Sequence, residues 1–375
     1  MFKLLTVFVI ALLLAYASER NTKLALAKGY SYTPRKDWAY VALVVVLTLF
    51  AGLRTSYNDT WNYINGFNNA PGLSEFLSDP ENFNPFLNPV FYLYQSALKT
   101  WFGNSQMLIF ISAAFMQVCF ILFFKRYSEN FLFSIFLYFT LGTFVFTLAA
   151  IKQVMGMAIV TLAFPYLEKK KFGRYYLIVL LAMLVHTYAI AFAILPLFKS
   201  RPWKLFTFVF VAVMVALMMN FEQAITAFME QANELGKTLA EYELFDNNTI
   251  NVFRLGVYAV PPVISLIFQK WVFNKTNERN NILIHMSIIS LACMSMGTQA
   301  GANMFGRMGT YFELGTICCL PMMLKRIFEE RSYQLIAGIA CVSFLGFFVY
   351  ANAINITFDF EYQAISFGYF LRMLF

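Results

Sequence analysis

Apolar blocks alternate with short connectors crowded with lysine and arginine along the whole 375-residue chain, and few folds tolerate that pattern. The blocks lie near 3–17, 38–53, 86–103, 106–124, 130–149, 153–167, 175–198, 205–220, 254–272, 281–299, 308–324 and 333–352. Most run roughly 15 to 20 residues, the length a helix needs to cross a hydrocarbon core of ~30 Å. Hydrophobic residues make up 60 % of the chain and charged ones 13 %, against about 25 % charged in soluble domains. A soluble protein of this balance could not cover its surface with polar groups. The expected fold is all-α: a polytopic transmembrane helical bundle of about 10–12 membrane segments. Residues 1–375 read as one integral membrane domain, with no internal repeat and no soluble part large enough to carry its own core.

The net charge of +8 invites thoughts of nucleic acid, but its distribution argues against that. Connectors 18–37, 125–129, 168–174, 199–204, 270–280 and 325–331 hold 20 of the 28 basic residues. That clustering is the positive-inside pattern and places all six on the cytoplasmic side. Connectors 54–85 and 221–253, with the tail 353–375, hold twelve of the 20 acidic residues and are expected outside. Residues 4–17 resemble a signal peptide in length, yet their charge follows the apolar run and no small-x-small cleavage pattern appears, so they read as an uncleaved first span. The five cysteines all fall inside apolar blocks without CxxC spacing and read as buried thiols.

Parity of crossings exposes two irregular blocks. Between the outer connector 54–85 and the inner cluster at Lys125 lie two apolar blocks where one crossing is required. The block 86–103, broken by Pro85, Pro89 and Lys99, is therefore expected to be re-entrant or interfacial. The block 175–198 is flanked by basic clusters at both ends, so it is either one span against the charge rule or a hairpin of two half-length helices that turns near His186. The second is favoured, because non-helical backbone at membrane depth is tolerated when protein surrounds it. Residues 221–246 read as an outer amphipathic helix, with Ile225, Phe228, Ala232 and Leu235 at helical spacing.

Charged groups near spans cost at least ~2.5–3.5 kcal/mol against lipid, so isolated ones are functional candidates. Arg54, Lys152 and Arg307 fall at the outer ends of three spans far apart in sequence. Outer cations oppose the usual bias, and a phosphate or diphosphate is the simplest anion to require them. The alternative is that each snorkels to headgroups or pairs with an acid such as Asp59 or Glu313. Asp59, in RTSYNDTWNY, is placed to deprotonate a sugar hydroxyl beside stacking aromatics Trp61 and Tyr63; it could equally be an Asx turn or helix cap. Gln153 can donate to a phosphate or sugar. His186 is one of two histidines and reads either as a second candidate base or as a structural donor. Walker, GxSxG, HExxH, Cys/His metal and DxD patterns are absent, which gives no support to an ATPase, a serine hydrolase or a zincin. No metal and no cofactor is expected.

Three segments, in order, resemble the EpsG family of membrane proteins, which belongs with the Wzy-type polysaccharide polymerases. FAGLRTSYNDTWNYINGF is similar to the family's first outer motif, an Arg followed by Asp-x-x-x-Tyr, here Arg54, Asp59 and Tyr63. The stretch from AAIKQVMG to MLVHTYAIAF is similar to a central block in which Arg-Gln opens a helix and a His element follows; Gln153 and His186 match. MFGRMGTYFELG resembles a late Arg-x-x-x-Tyr-Phe element, with Arg307, Tyr311 and Phe312. Lys152 stands where the family usually has Arg, Tyr188 where it has Ser, and Asn88-Pro89 where Glu-Pro is commoner.

The resemblance implies a multi-pass protein of the bacterial inner (cytoplasmic) membrane with its active site on the outer face. It implies transfer of a growing glycan from undecaprenyl diphosphate onto a lipid-linked repeat unit. Arg54, Lys152 and Arg307 would hold the diphosphate, Tyr63, Gln153 and Tyr311 would line the substrate site, and Asp59 or His186 would act as base. The partners expected are the undecaprenyl-diphosphate-linked oligosaccharide, membrane lipid, a chain-length regulator and a flippase, and no nucleic acid. Two rivals share some of these features: a multi-span glycosyltransferase using lipid-linked sugars, and a polysaccharide flippase or exporter.

Overall fold

The computed structural model describes residues 2–28, 33–220, 250–274, 276–299, 303–353 and 361–373. It is all-α apart from one two-stranded pairing, and the chain gathers into two compact units, Met1–Ile190 with Gly338–Phe375 and Ala191–Ala337. The expected amphipathic helix at 221–246 lies outside the described residues.

The first unit opens with α1 (Phe2–Ala27), α2 (Trp38–Gly52) and the short strand β1 (Arg54–Ser56). Then come α3 (Thr60–Asn69), α4 (Leu73–Ser78), α5 (Pro89–Phe102) and α6 (Ser105–Tyr127). Asp37 starts α2 by accepting from the Ala39 N–H at 3.1 Å. The same carboxylate takes Ser18 Oγ at 2.6 Å and Asn21 Nδ2 at 2.8 Å, while Lys125 Nζ donates to Ser18 Oγ and Thr22 Oγ1, each at 2.8 Å. Burying Asp37 is tolerable only because it is fully paired. At the other end of α2, Gln106 Nε2 donates to the carbonyls of Gly52 (2.7 Å) and Arg54 (3.1 Å). Thus α6 runs antiparallel to α2, and the basic connectors 18–37 and 125–129 meet at one end. Connector 168–174 joins them through Glu168, which accepts from Tyr127 Oη at 2.9 Å and pairs with Arg126 at 3.4 Å.

The block 86–103 holds a short helix. Its 14 residues make α5 about 21 Å long, well short of ~30 Å. It lies beside α3: Tyr63 and Phe91 meet edge to face at 6.1 Å, and Lys99 Nζ donates to the carbonyls of Asn68 (2.8 Å) and Ala70. Residues 130–149 form α7 (Phe131–Thr140) and α8 (Thr143–Ala149), bent by 52° at Leu141–Gly142. Gly142 takes φ +87°, which a residue with a Cβ adopts only with strain. A tight turn joins α9 (Ile151–Glu168) to α10 (Phe172–Val185), and these two pack together. At His186 the backbone becomes extended (φ −154°, ψ 116°), and 3₁₀ turns run from Thr187 to Leu197. The chain does break at His186, but a 3₁₀ segment follows and not the second α-helix of a hairpin.

The second unit contains α11 (Leu205–Met219), α12 (Val252–Ile267), α13 (Gln269–Val272), α14 (Glu278–Met296) and α15 (Asn303–Ile327). His285 is fully buried on α14; its Nε2 meets Thr207 Oγ1 at 2.9 Å and its Nδ1 the Asn281 carbonyl at 3.0 Å, a structural role. Helices α14 and α15 approach closely at Gly315, where a Cβ would lie 2.3 Å from Met286 Cβ and 2.7 Å from the Leu283 carbonyl oxygen. Neither atom is a flexible chain end. Gly315→Ala is expected to lower stability by ~1–3 kcal/mol through overpacking, read as a fall in thermal midpoint in detergent. Gly338→Ala, with open space around its Cβ, is the control and should be neutral or slightly stabilising. The last helices are α16 (Glu330–Ala353) and α17 (Phe367–Arg372), flanking β2 (Gln363–Ala364).

Among the described residues, α1, α6 and Glu330–Ala351 are long and apolar enough to cross a membrane singly, with the bent pair α7–α8 as a fourth. Further apolar helices are shorter, and α14 and α15 are long but carry buried polar groups such as Asn280, His285, Ser290 and Glu313. Their polar side chains face protein, so average hydropathy understates them.

Candidate functional site

Arg54 is the centre of what the first unit assembles. Its side chain is fully buried just beyond the last turn of α2. Nε donates to Thr60 Oγ1 at 3.1 Å, Nη1 donates to the Ala51 carbonyl, and Nη2 has no partner among the described residues. Burial pulls the guanidinium down to about 10, partly offset by the nearby Tyr362 and Tyr63 rings, so it remains charged at neutral pH. An unsatisfied buried donor costs ~1–3 kcal/mol, more on a charged group.

The surroundings hold that arginine in place. Its own segment β1 pairs antiparallel with β2, Arg54 opposite Ala364, and the Ile365 N–H donates to the Leu53 carbonyl at 3.0 Å. Tyr362 stacks on Phe50 at 4.5 Å, donates its hydroxyl to the Phe50 carbonyl, and its own carbonyl accepts Lys3 Nζ at 2.9 Å. After β1 the chain turns at Asn58 (φ +45°) to start α3, a left-handed position that Asn tolerates well. Asp59 occupies the N-cap position of α3 and is exposed, but its carboxylate makes no capping hydrogen bond. The cap reading of Asp59 is thus right for its backbone and not for its side chain.

Tyr63, one turn into α3, lies near enough to Arg54 for the two charges to act on each other, and it contacts Lys152. Its hydroxyl accepts from the Lys152 backbone N–H at 3.2 Å, at the start of α9. Burial pushes that phenol up to about 12, with Asp59, Arg54 and Tyr92 close enough to act on it. The Lys152 ammonium stands over the Tyr92 ring at 5.3 Å and near the Phe91 ring at 6.0 Å, both on the first turn of α5. Cation–π contact of this kind is worth ~0.5–2 kcal/mol and leaves the ammonium free to take an anion. Gln153 is buried beside it. His186 is nearly buried and sits edge-on to Tyr188 at 5.0 Å. The next residue, Thr187, donates from N–H (3.0 Å) and Oγ1 (3.2 Å) to Asn88 Oδ1, the residue that precedes α5. Both His186 and Lys152 therefore adjoin the same end of α5.

Arg307 and Tyr311 belong to the second unit, one turn apart on α15, with Tyr311 fully buried. Glu313, almost fully buried, takes a side-chain hydrogen bond with Tyr258, whose hydroxyl also accepts Arg254 Nη2 at 3.4 Å. Here Glu313 meets a tyrosine and an arginine from α12. Sequence reasoning missed the roles of Tyr92, Tyr362 and Asn88. Arg254 and Tyr258, at helical spacing on α12, were a usable sequence signal for this contact. Among the described residues no group of three or more His, Cys, Asp and Glu side chains is placed to hold a metal.

These features define a polytopic helical membrane protein with a buried arginine at the end of α2 and an aromatic-seated lysine at the start of α9. The family model described as "EpsG family" matches residues 37–366, and the chain belongs to that family. The family's known kind is the Wzy-type polymerase, which places the chain among the polymerases of membrane polysaccharide biosynthesis. Against the curated proteins and the solved structures the chain has no significant match.

Proposed function

We propose that the protein polymerises a lipid-linked oligosaccharide at the outer face of the cytoplasmic membrane, with undecaprenyl diphosphate as carrier and leaving group. The observation that carries this reading is the buried Arg54 guanidinium, with one donor nitrogen unpartnered among the described residues and Tyr63 near it, whose hydroxyl accepts from the Lys152 backbone N–H. A diphosphate supplies the missing acceptor and balances both charges. The acceptor hydroxyl oxygen attacks the anomeric carbon of the donor glycan as the bond from that carbon to the diphosphate oxygen breaks. The bonding pair leaves with undecaprenyl diphosphate, and the hydroxyl proton passes to Asp59, with His186 the competing base. Arg54 and Lys152 stabilise the leaving group as its charge develops. Arg307 and Tyr311 match the family's late motif, and the resemblance assigns them phosphate and substrate binding. Asp59 beside exposed Trp61 faces an open surface suited to sugar rings.

Deleting the gene tests the class of activity. Single lipid-linked repeats should accumulate without long chains, whereas a flippase would leave its substrate on the cytoplasmic side and a single-sugar glycosyltransferase would leave truncated repeats. Sidedness is tested by cysteines at exposed Asn68 and Lys170. An impermeant thiol reagent should label position 68 in intact cells and position 170 only after lysis; the reverse order would remove the outer-face assignment. Lys152→Arg should retain most polymer, because charge and aromatic seat persist, while Lys152→Gln should lose most of it. Polymer length on a gel and lipid-linked donor remaining in the membrane give the two readouts.

A further inference from the structure

A second basic site lies at the opposite end of the first unit, where the connectors 125–129 and 168–174 meet. A cavity of about 540 Å³ opens between α6, α9 and α10. Its wall is apolar, built from Leu122, Leu162, Pro165 and Ile178, and both leucines are exposed on the outer surface of their helices. Its rim is cationic: Arg126, Lys169, Lys171 and Arg174 all line it. Arg126 is paired with Glu168 at 3.4 Å. Lys169, Lys171 and Arg174 are exposed and have no ion pair among the described residues. Arg174 is seated over the Tyr166 ring at 5.9 Å, which orders its guanidinium at the mouth of the cavity.

We propose that this groove binds an anionic glycerophospholipid, with acyl chain along Leu122, Leu162 and Ile178 and headgroup phosphate among Lys169, Lys171 and Arg174. The argument is complementarity on two counts. The apolar slot continues the lipid-facing surface of the helices, so a chain entering it stays out of water. Three unpaired cations at its open end match a phosphodiester, and basic pockets between spanning helices on the positive side recognise such headgroups. Tyr127 and Tyr166 stand at the junction of slot and rim, the depth at which amphipathic rings settle. A free inorganic phosphate would use the rim but leave the slot empty, and a neutral lipid would use the slot but leave the charges unmatched. This site takes none of the residues assigned to glycan transfer and does not depend on that assignment.

The test uses full-length protein in neutral detergent, with phosphatidylglycerol, phosphatidylcholine and inorganic phosphate added separately and binding read by native mass spectrometry and thermal midpoint. Phosphatidylglycerol should be retained and raise the midpoint; phosphatidylcholine and phosphate should do neither. Lys169→Gln, Lys171→Gln and Arg174→Gln combined should weaken phosphatidylglycerol retention about a hundredfold, each basic group near a headgroup being worth about a fivefold factor. Leu162→Trp, which fills the slot and leaves every charge, should also lose the lipid, with an unchanged midpoint in its absence, and carries the test if the triple variant does not fold. Equal retention of phosphatidylcholine, stabilisation by phosphate alone, or wild-type lipid binding by Leu162→Trp would each overturn the proposal. Preference for a polyprenyl phosphate over phosphatidylglycerol would overturn it too, making the groove a substrate-lipid site.

Discussion

Replacing Arg54 by glutamine is expected to cut polymer formation by a factor on the order of 10²–10³, the usual loss when one donor to a developing anion is removed. The expectation rests on how the guanidinium is divided. Two of its nitrogens serve the protein, holding the Ala51 carbonyl at the end of α2 and Thr60 at the start of α3, and the third has no partner among the described residues. Glutamine removes the charge and leaves no group able to do all three jobs. The effect on stability should be small by comparison, because losing two hydrogen bonds is offset by no longer burying a cation. A purely structural arginine predicts the opposite pattern: a lower thermal midpoint with unchanged activity per folded molecule. Arg54→Lys separates charge from geometry. An ammonium keeps the charge yet lacks the planar fork that reaches protein and phosphate together, so activity should fall between the two. Measured in membranes with normalised protein levels, undiminished polymerisation by Arg54→Gln would remove the arginine from the mechanism.

Much of the helical layout was legible because it rests on local signals. Lys125, Arg126 and the 168–174 cluster end helices where the charge pattern says they should, since cations placed there escape the hydrocarbon. Pro89 begins α5, as expected of a residue suited to a first turn. The block 86–103 read as irregular from its prolines and lysine, and its helix runs only from Pro89 to Phe102. His186 was legible as a break because a polar pair interrupts an apolar run, but the 3₁₀ form of Thr187–Leu197 has no comparable local cause. The small helices α3 and α4 inside connector 54–85 were not foreseen; their apolar anchors Phe67 and Phe76 are isolated in a polar stretch and show only when buried.

The site was legible in its cations and illegible in what holds them. Arg54, Asp59, Tyr63 and Lys152 could be named because charge near a span is costly and because they match family motifs. Their supports come from far along the chain. Tyr362 reaches Phe50 and Lys3 across the closed pairing of β1 with β2, and nothing near residue 54 announces that partner. Tyr92 carries the Lys152 ammonium only because α5 folds back beside α3 and α9. Asn88 is the instructive case. Lacking the carboxylate common at that position, it looked like a lost acid, yet its amide oxygen accepts two hydrogen bonds from Thr187 and fastens the segment after His186 to the start of α5.

Asp59→Asn is expected to reduce polymerisation by a factor on the order of 10²–10⁴, the range of general-base assistance. Position supports the expectation more than any contact does. The carboxylate begins α3, is exposed, makes no capping hydrogen bond, and acts electrostatically on Tyr63, as Arg54 does. A hydroxyl approaching an anomeric carbon whose diphosphate is held by Arg54 and Lys152 would come within reach of this acid. Asparagine keeps the size and the turn-forming capacity of the side chain but accepts no proton. It should therefore leave the fold, the membrane insertion and the retention of lipid-linked donor unchanged while turnover collapses. Asp59→Glu should recover part of the activity if the carboxylate reaches the hydroxyl directly, since only its distance has changed. His186→Ala sets the competing outcome. If that variant loses more activity than Asp59→Asn, and the remaining activity of Asp59→Asn still rises through the usual titration range of histidine, the base is His186. Full-length polymer from Asp59→Asn would leave Asp59 with only its backbone role at the start of α3.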